Sequence, residues 1–180
     1  MRVWPITFTT PNRLEVTLTK NDLKSSRFQL PKGDVLDWGC SQGLTTNEIR
    51  GMFGRRTIGI DIDEGMIKSA RKYNQKEGIE FHCMDGCEIK ERLPGPYAAI
   101  FAMNNLILAL ITTQITEAQF KNIFENMQSC LMPNGYIILT AEMSLWVYGK
   151  QERKFIYSTP RDKPRLYKLL DPIDSIFTNE

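Results

Sequence analysis

Histidine is nearly absent from this 180-residue chain, where His82 is the only one, and cysteine is scarce, with Cys40, Cys83, Cys87 and Cys130 the whole supply. Any His-dependent general base must therefore be His82. The cysteines are scattered rather than spaced as a disulfide framework, which fits a reducing compartment. An excess of charge of one sign is also lacking: 23 Lys and Arg face 21 Asp and Glu, for a formal net charge of +2. That excludes a histone-like or polyacidic protein, and a nucleic-acid role would need a local patch. The longest apolar run, 98–111, is broken by Asn104 and Asn105 and falls short of the ~20 residues that span a bilayer. The opening residues, MRVWPITFTTPNR, lack the apolar stretch of a secretory leader. No internal repeat or low-complexity tract is present. These absences predict a soluble, cytoplasmic protein with no membrane partner. What is there is ordinary globular composition, 42% hydrophobic and 24% charged, in a chain long enough to bury roughly 70% of its unfolded surface. One domain over 1–180 is the expectation.

Runs of β-branched and aliphatic residues at 34–38, 57–62, 79–84, 97–103 and 136–140 each close near a Gly, Asp or Asn turn signal, as buried strands do. Helix-compatible stretches lie between them at 44–53, 64–77, 87–92 and 117–131. Strands such as Thr57-Ile58-Gly59-Ile60-Asp61 lack polar alternation, which suits a sheet covered on both faces. The fold class is therefore α/β, a doubly wound, mostly parallel sheet. Asp63 is placed to cap the second helix, and Gly78 to stop it. Phe120, Ile123, Phe124, Met127 and Leu131 recur at helical spacing as an inward face, and Pro133-Asn134-Gly135 turns the chain into the fifth strand. Trp146, Tyr148, Phe155 and Tyr157 could lie on a sixth and a seventh strand. The layout is a core over 33–140, an N-terminal cap over 1–32, and C-terminal strands and tail over 141–180.

The stretch Val35-Leu36-Asp37-Trp38-Gly39-Cys40-Ser41-Gln42-Gly43 reads as strand, glycine turn and helix start. Glycine lets backbone approach a ligand, and a helix start offers free amides; at Cys40 the backbone amide matters more than the thiol. Asp37 is expected to place a carboxylate in the same crevice, repelling a pyrophosphate and attracting an ammonium or sulfonium. Asp61 closes the second strand, where a carboxylate can accept ribose hydroxyls. Asp85 follows the third and could accept from an adenine amino group. Strand carboxyl ends line the ligand crevice of an open α/β sheet, so the three acids are expected to converge on one molecule.

This series resembles the class I S-adenosylmethionine-dependent methyltransferases, whose pattern is an acid and Gly-x-Gly-x-Gly after strand one, an acid ending strand two and an acid after strand three. Asp37, Gly39 and Gly43 match, with Ser41 at the middle glycine. The resemblance covers about residues 33–140 and implies a Rossmann-like methyltransferase fold, S-adenosylmethionine as cofactor and methyl transfer as activity. It assigns Asp37 with the turn Gly39, Cys40, Ser41 and Gly43 to the methionine portion, Asp61 to the ribose, and Ile62 and Met66 to the adenine faces. Asp85 with the backbone of Met84 and Gly86 takes the adenine edge, and Ala102 lies on the fourth strand beside the transferring methyl.

Other readings stand beside the resemblance. A nicotinamide-dependent dehydrogenase shares the strand, turn and helix, but wants Gly-x-Gly-x-x-Gly. Aminopropyl transfer would need extra acids for a polyamine near 103–106. A catalytically inactive S-adenosylmethionine-binding module is a further reading. Asn104 and Asn105 could orient an acceptor, although a helix cap explains at least one of them as well. The Asn/Asp-Pro-Pro-Tyr/Phe element of base- and amide-modifying relatives is missing, and no cysteine stands where a cytosine-attacking nucleophile would. His82, Cys83 and Cys87 are poorly spaced for a metal, and none is assigned. Catalysis is therefore expected from proximity and orientation, with a small-molecule acceptor. The counterweight is 148–170, where Lys150, Arg153, Lys154, Arg161, Lys163, Arg165 and Lys168 face only Glu152 and Asp162, with aromatics interleaved. That stretch is either a solvated edge or a surface for RNA. A homodimer that shares lids would also suit so light a cover over the pocket.

Overall fold

The computed structural model describes residues 30–103, 116–141, 144–149 and 153–157. Most of the expected N-terminal cap, Asn104, Asn105 and the chain beyond 157 lie outside the described residues. Seven strands form one sheet: β1 (Asp34–Trp38), β2 (Thr57–Asp61), β3 (Ile79–Cys83), β4 (Tyr97–Ala102), β5 (Leu131–Ala141), β6 (Ser144–Gly149) and β7 (Arg153–Tyr157). Their order is β3-β2-β1-β4-β5-β6-β7. The pairs from β3 through β5 are all parallel, and β6 and β7 add an antiparallel hairpin. The helices are α1 (Leu44–Phe53), α2 (Glu64–Tyr73), the single turn α3 (Ile89–Arg92) and α4 (Glu117–Ser129). This is the α/β doubly wound sheet expected, and order reverses between β1 and β4. A crevice at the carboxyl ends of the strands is the usual consequence.

Alternation along the central strands feeds two cores. Leu36 and Trp38 of β1, Ile100 of β4 and Ile137 of β5 point to one face, where Ile123, Phe124 and Met127 of α4 cover them. Val35, Phe101 and Ile138 point to the other, against Ile49 and Phe53 of α1. Farther along that face, Ile67 and Ala70 of α2 pack with Cys40 and Phe81. A sheet buried on both sides needs apolar residues at successive positions, and β4 is buried throughout.

Asp63 caps α2 as expected, accepting from the Met66 N–H at 3.0 Å. Three boundaries differ from the sequence reading. Helix α2 stops at Tyr73 with Asn74 as its cap, rather than running to 77, and Gly78 (φ 77°) instead turns the chain into β3. Helix α4 ends at Ser129, because Leu131 pairs with Tyr97 and belongs to β5. Strand five starts there, before Pro133-Asn134-Gly135, which forms a bulge inside the strand: the register jumps from Tyr97 opposite Leu131 to Ala99 opposite Tyr136. Asn134 takes a left-handed φ of 60° to make it. Among the described residues, no helix is long and apolar enough to cross a membrane.

Two glycines separate packing from propensity. A Cβ on Gly86 would lie 1.9 Å from the Trp38 Nε1, whereas one on Gly51, inside α1, would meet nothing within 4 Å. Gly86→Ala should lower stability by about 1–3 kcal/mol, as overpacking does. Gly51→Ala should raise it by about 0.5–1 kcal/mol through helix propensity. Urea denaturation of both variants checks the pair, and equal shifts would contradict this packing.

Candidate functional site

The turn after β1 is built on left-handed backbone at Gly39 (φ 76°), Ser41 (φ 50°) and Gly43 (φ 82°). At Gly43 a Cβ would also run into the Phe81 ring at 2.4 Å. At Ser41 a side chain in that conformation costs roughly 1–2 kcal/mol, and two contacts offset it. Its N–H donates to Asp61 Oδ2 at 2.8 Å, and its hydroxyl reaches Met66 Sδ at 3.5 Å. Smallness alone was the expected demand on this position; the conformation adds a second.

Asp61 ends β2 with each oxygen accepting one backbone bond, Oδ2 from Ser41 and Oδ1 from the Asp63 N–H at 2.9 Å. A carboxylate oxygen has two lone pairs, so one on each remains for a ligand. Ile62, the next residue, is 71% exposed.

The expected convergence of three acids is a staircase instead. Asp37 pairs in register with Gly59, two residues before Asp61, and Asp61 pairs with Cys83, two residues before Asp85. At ~3.3 Å of rise per residue, Asp37 sits well below the strand tips. Its side chain shares the face of Val35, where α1 covers it, so the carboxylate is 1% exposed and accepts from the Thr46 hydroxyl at 2.6 Å. Burial pushes the Asp37 carboxyl up to about 7; the Thr46 bond pulls it down and the charge of Asp61 pushes it further up. Asp37 thus differs from the crevice carboxylate read from sequence, because register decides depth.

The Cys40 amide is also spent. It donates to the Ile60 carbonyl at 2.9 Å, beside Gly39 at 2.8 Å, while the buried thiol is raised by desolvation and then by Asp37 and Asp61. The side chains of Met84 and Ala102 are buried in the core, and Gly86 is covered by the Trp38 indole. At these positions only backbone can face a ligand. Asp85 Oδ1 accepts from the Cys87 N–H at 2.8 Å. Burial, then Asp85, pushes the Cys87 thiol up to about 11, so it is no thiolate nucleophile. Sequence reasoning missed Thr46; a hydroxyl in the first turn of a helix after an acid-bearing strand was the available signal.

A family model described as a methyltransferase domain matches residues 35–135. The chain belongs to the methyltransferase-domain family. This membership displaces the nicotinamide reading, and solved structures agree with the methyltransferase fold. Streptomyces venezuelae DesVI is similar at 20% identity and TM-score 0.54, over 70% of this chain and 49% of that one. The N-methyltransferase NodS from Bradyrhizobium japonicum is similar at 18% and 0.54, over 72% and 67%. SAM-bound CalS10, an amino pentose methyltransferase from Micromonospora echinaspora, is similar at 17% and 0.57, over 77% and 58%. This methyltransferase-domain chain therefore spans about half the length of DesVI and somewhat more of CalS10. Among curated proteins, none matches the sequence.

Asp37 makes the stability of this methyltransferase domain depend on pH with a definite sign. Between about pH 4 and pH 7 the folded chain holds a proton that the unfolded chain releases. This contribution is fully present below the unfolded value and is lost as pH rises through the folded one. The wild-type urea midpoint, taken relative to that of Asp37→Asn at each pH, should fall from pH 4 to pH 7 and level off above. A flat difference would mean that Asp37 is not buried in this way.

Proposed function

We propose that the chain binds S-adenosylmethionine at the carboxyl ends of β1, β2 and β3 and promotes transfer of its methyl group to a small-molecule acceptor. The observation that carries this reading is Asp61: its carboxylate is fixed from behind by Ser41 and Asp63 and keeps one lone pair per oxygen for a vicinal diol. The rest of the site fits the same ligand. Exposed Ile62 offers an apolar surface for one adenine face. Helix α1 has Gly43 as its N-cap, with no side-chain cap bond and no acid in its first turn, which leaves the positive end of its dipole open to a carboxylate. Asp61 at the tip favours the ammonium and sulfonium and disfavours a pyrophosphate.

Bound there, S-adenosylmethionine supplies an activated methyl: an acceptor lone pair forms the new bond to the methyl carbon as the carbon–sulfur bond breaks, its electrons stay on sulfur, and the acceptor's proton leaves to water. The chain's own residues hold the cofactor and orient the acceptor, so rate comes from placement. The printed descriptions of NodS as an N-methyltransferase and CalS10 as an amino pentose methyltransferase make small amines the first acceptors to try. An RNA acceptor remains the alternative, through the basic stretch 148–170.

Calorimetry should show binding of S-adenosylmethionine and S-adenosylhomocysteine in preference to NAD. Asp61→Ala should weaken both by about 1.5–3 kcal/mol, roughly 10- to 100-fold, as loss of a charged hydrogen-bond acceptor does. NAD binding without response to the other two would sink the reading. A screen of small amines and alcohols with S-adenosylhomocysteine release as readout tests the acceptor. Tight RNA binding that weakens about 10³-fold between roughly 50 and 200 mM salt would move the acceptor to RNA.

A further inference from the structure

Two side-chain amides grip carbonyls of the glycine turn that Asp61 does not touch. Asn74 Nδ2 donates to the Gln42 carbonyl at 2.7 Å, and Asn47 Nδ2 donates to the Gly43 carbonyl at 3.1 Å. The same Asn47 amide reaches the Asn74 carbonyl at 3.0 Å and its Oδ1 at 3.2 Å. Asn74 is itself anchored as the cap of α2, its N–H donating to the Ala70 carbonyl at 2.8 Å. A relay therefore runs from the end of α2 to the start of α1. Asn47 Oδ1 is buried with no partner, an unfavourable arrangement for an amide side chain. What its NH₂ group does has to outweigh that.

A trans peptide directs its N–H opposite to its C=O. The Gly43 carbonyl also accepts the Asn47 N–H at 3.1 Å as the first bond of α1, so the Asn47 side chain is a second donor to a peptide whose Leu44 N–H points out of the helix's opening end. Holding the Gln42 carbonyl fixes the next N–H, that of Gly43, which donates to the Cys40 carbonyl at 2.9 Å and closes the turn.

We propose that Asn47 and Asn74 are positioning residues that orient the turn and the Leu44 N–H at the start of α1 toward the amino-acid end of the cofactor. This rests on the S-adenosylmethionine reading above. The relay touches the peptide planes beside the methionine portion and leaves Asp61, on the ribose side, untouched. It should therefore discriminate between two halves of one ligand.

The test is calorimetric titration of the full chain, Asn74→Ala and Asn74→Asp with S-adenosylhomocysteine and with 5′-methylthioadenosine, which keeps adenosine and sulfur but lacks the amino acid. Asn74→Asp preserves shape and an acceptor for Asn47 while deleting the donor to Gln42. Both variants should lose about 3- to 10-fold in affinity for S-adenosylhomocysteine, the effect of one hydrogen bond, and stay within about twofold for 5′-methylthioadenosine. General loosening of the fold would weaken both ligands alike. Equal losses, or unchanged S-adenosylhomocysteine affinity, overturn the proposal. A wild-type chain that binds neither ligand overturns the cofactor reading and the proposal with it.

Discussion

The structure around the crevice depends on one carboxylate. Asp61 receives the Ser41 N–H on one oxygen and the Asp63 N–H on the other, so the end of β2 is joined to the turn after β1 and to the start of α2 through a single group. Bonds to an ionised acceptor are the stronger kind. They act where the backbone is least willing, at a left-handed serine between two left-handed glycines. The other amides of the turn lean on the same strand, since Gly39 and Cys40 both donate to Ile60. The shape of the turn is therefore a property of β2 as much as of the turn's own residues.

That arrangement has an electrostatic price, and the register of β1 decides where it falls. Asp37, two residues deeper than Asp61 along the sheet, is held under α1 with the Thr46 hydroxyl as its hydrogen-bond donor. A carboxyl there is easier to keep neutral than charged, and the neighbouring charge of Asp61 works the same way. Burial first, and then the charges of Asp37 and Asp61, hold the Cys40 thiol protonated as well. The buried side of the turn is thus chemically quiet, while the negative charge that a ligand meets is concentrated on Asp61 at the tip.

Much of this was legible before any coordinates. Strand β1 and helix α1 fall on the residues that apolar runs and turn signals mark, because central strands buried on both faces leave an uninterrupted hydrophobic record and glycines bound it. The place of Asp61 at the end of β2 was legible because it closes an apolar run, whereas Ile62 came only with the family resemblance. Depth was not legible. Whether Asp37 reaches the crevice depends on its alignment with Gly59, 22 residues on, and register between two such strands is not written in either strand alone. The same holds for Met84 and Ala102, whose inward turn follows from alternation relative to neighbours. The end of α2 was misread for a local reason: Gly78 is the stronger stop signal, yet Asn74 finds partners in Gln42 and Asn47 that no window around residue 74 contains. Tertiary bonds outrank capping preference when they are available.

The absence of an acid–base pair among the residues assigned to the site fits the chemistry proposed for it. A methyl group on a sulfonium already has a good leaving group, so the barrier left to lower is largely one of approach and alignment. Alignment demands stiffness, and the turn is secured through N–H and carbonyl alike: Asp61 holds the Ser41 N–H, while Asn47 and Asn74 hold the carbonyls of Gly43 and Gln42. These bonds hold three different peptide planes of the one turn, Cys40–Ser41 through its N–H and Gln42–Gly43 and Gly43–Leu44 through their carbonyls. Among the described residues, Asp61, Asn47 and Asn74 are spent on holding backbone, and in the proposed reaction it is that backbone which would set where the sulfonium and the acceptor meet.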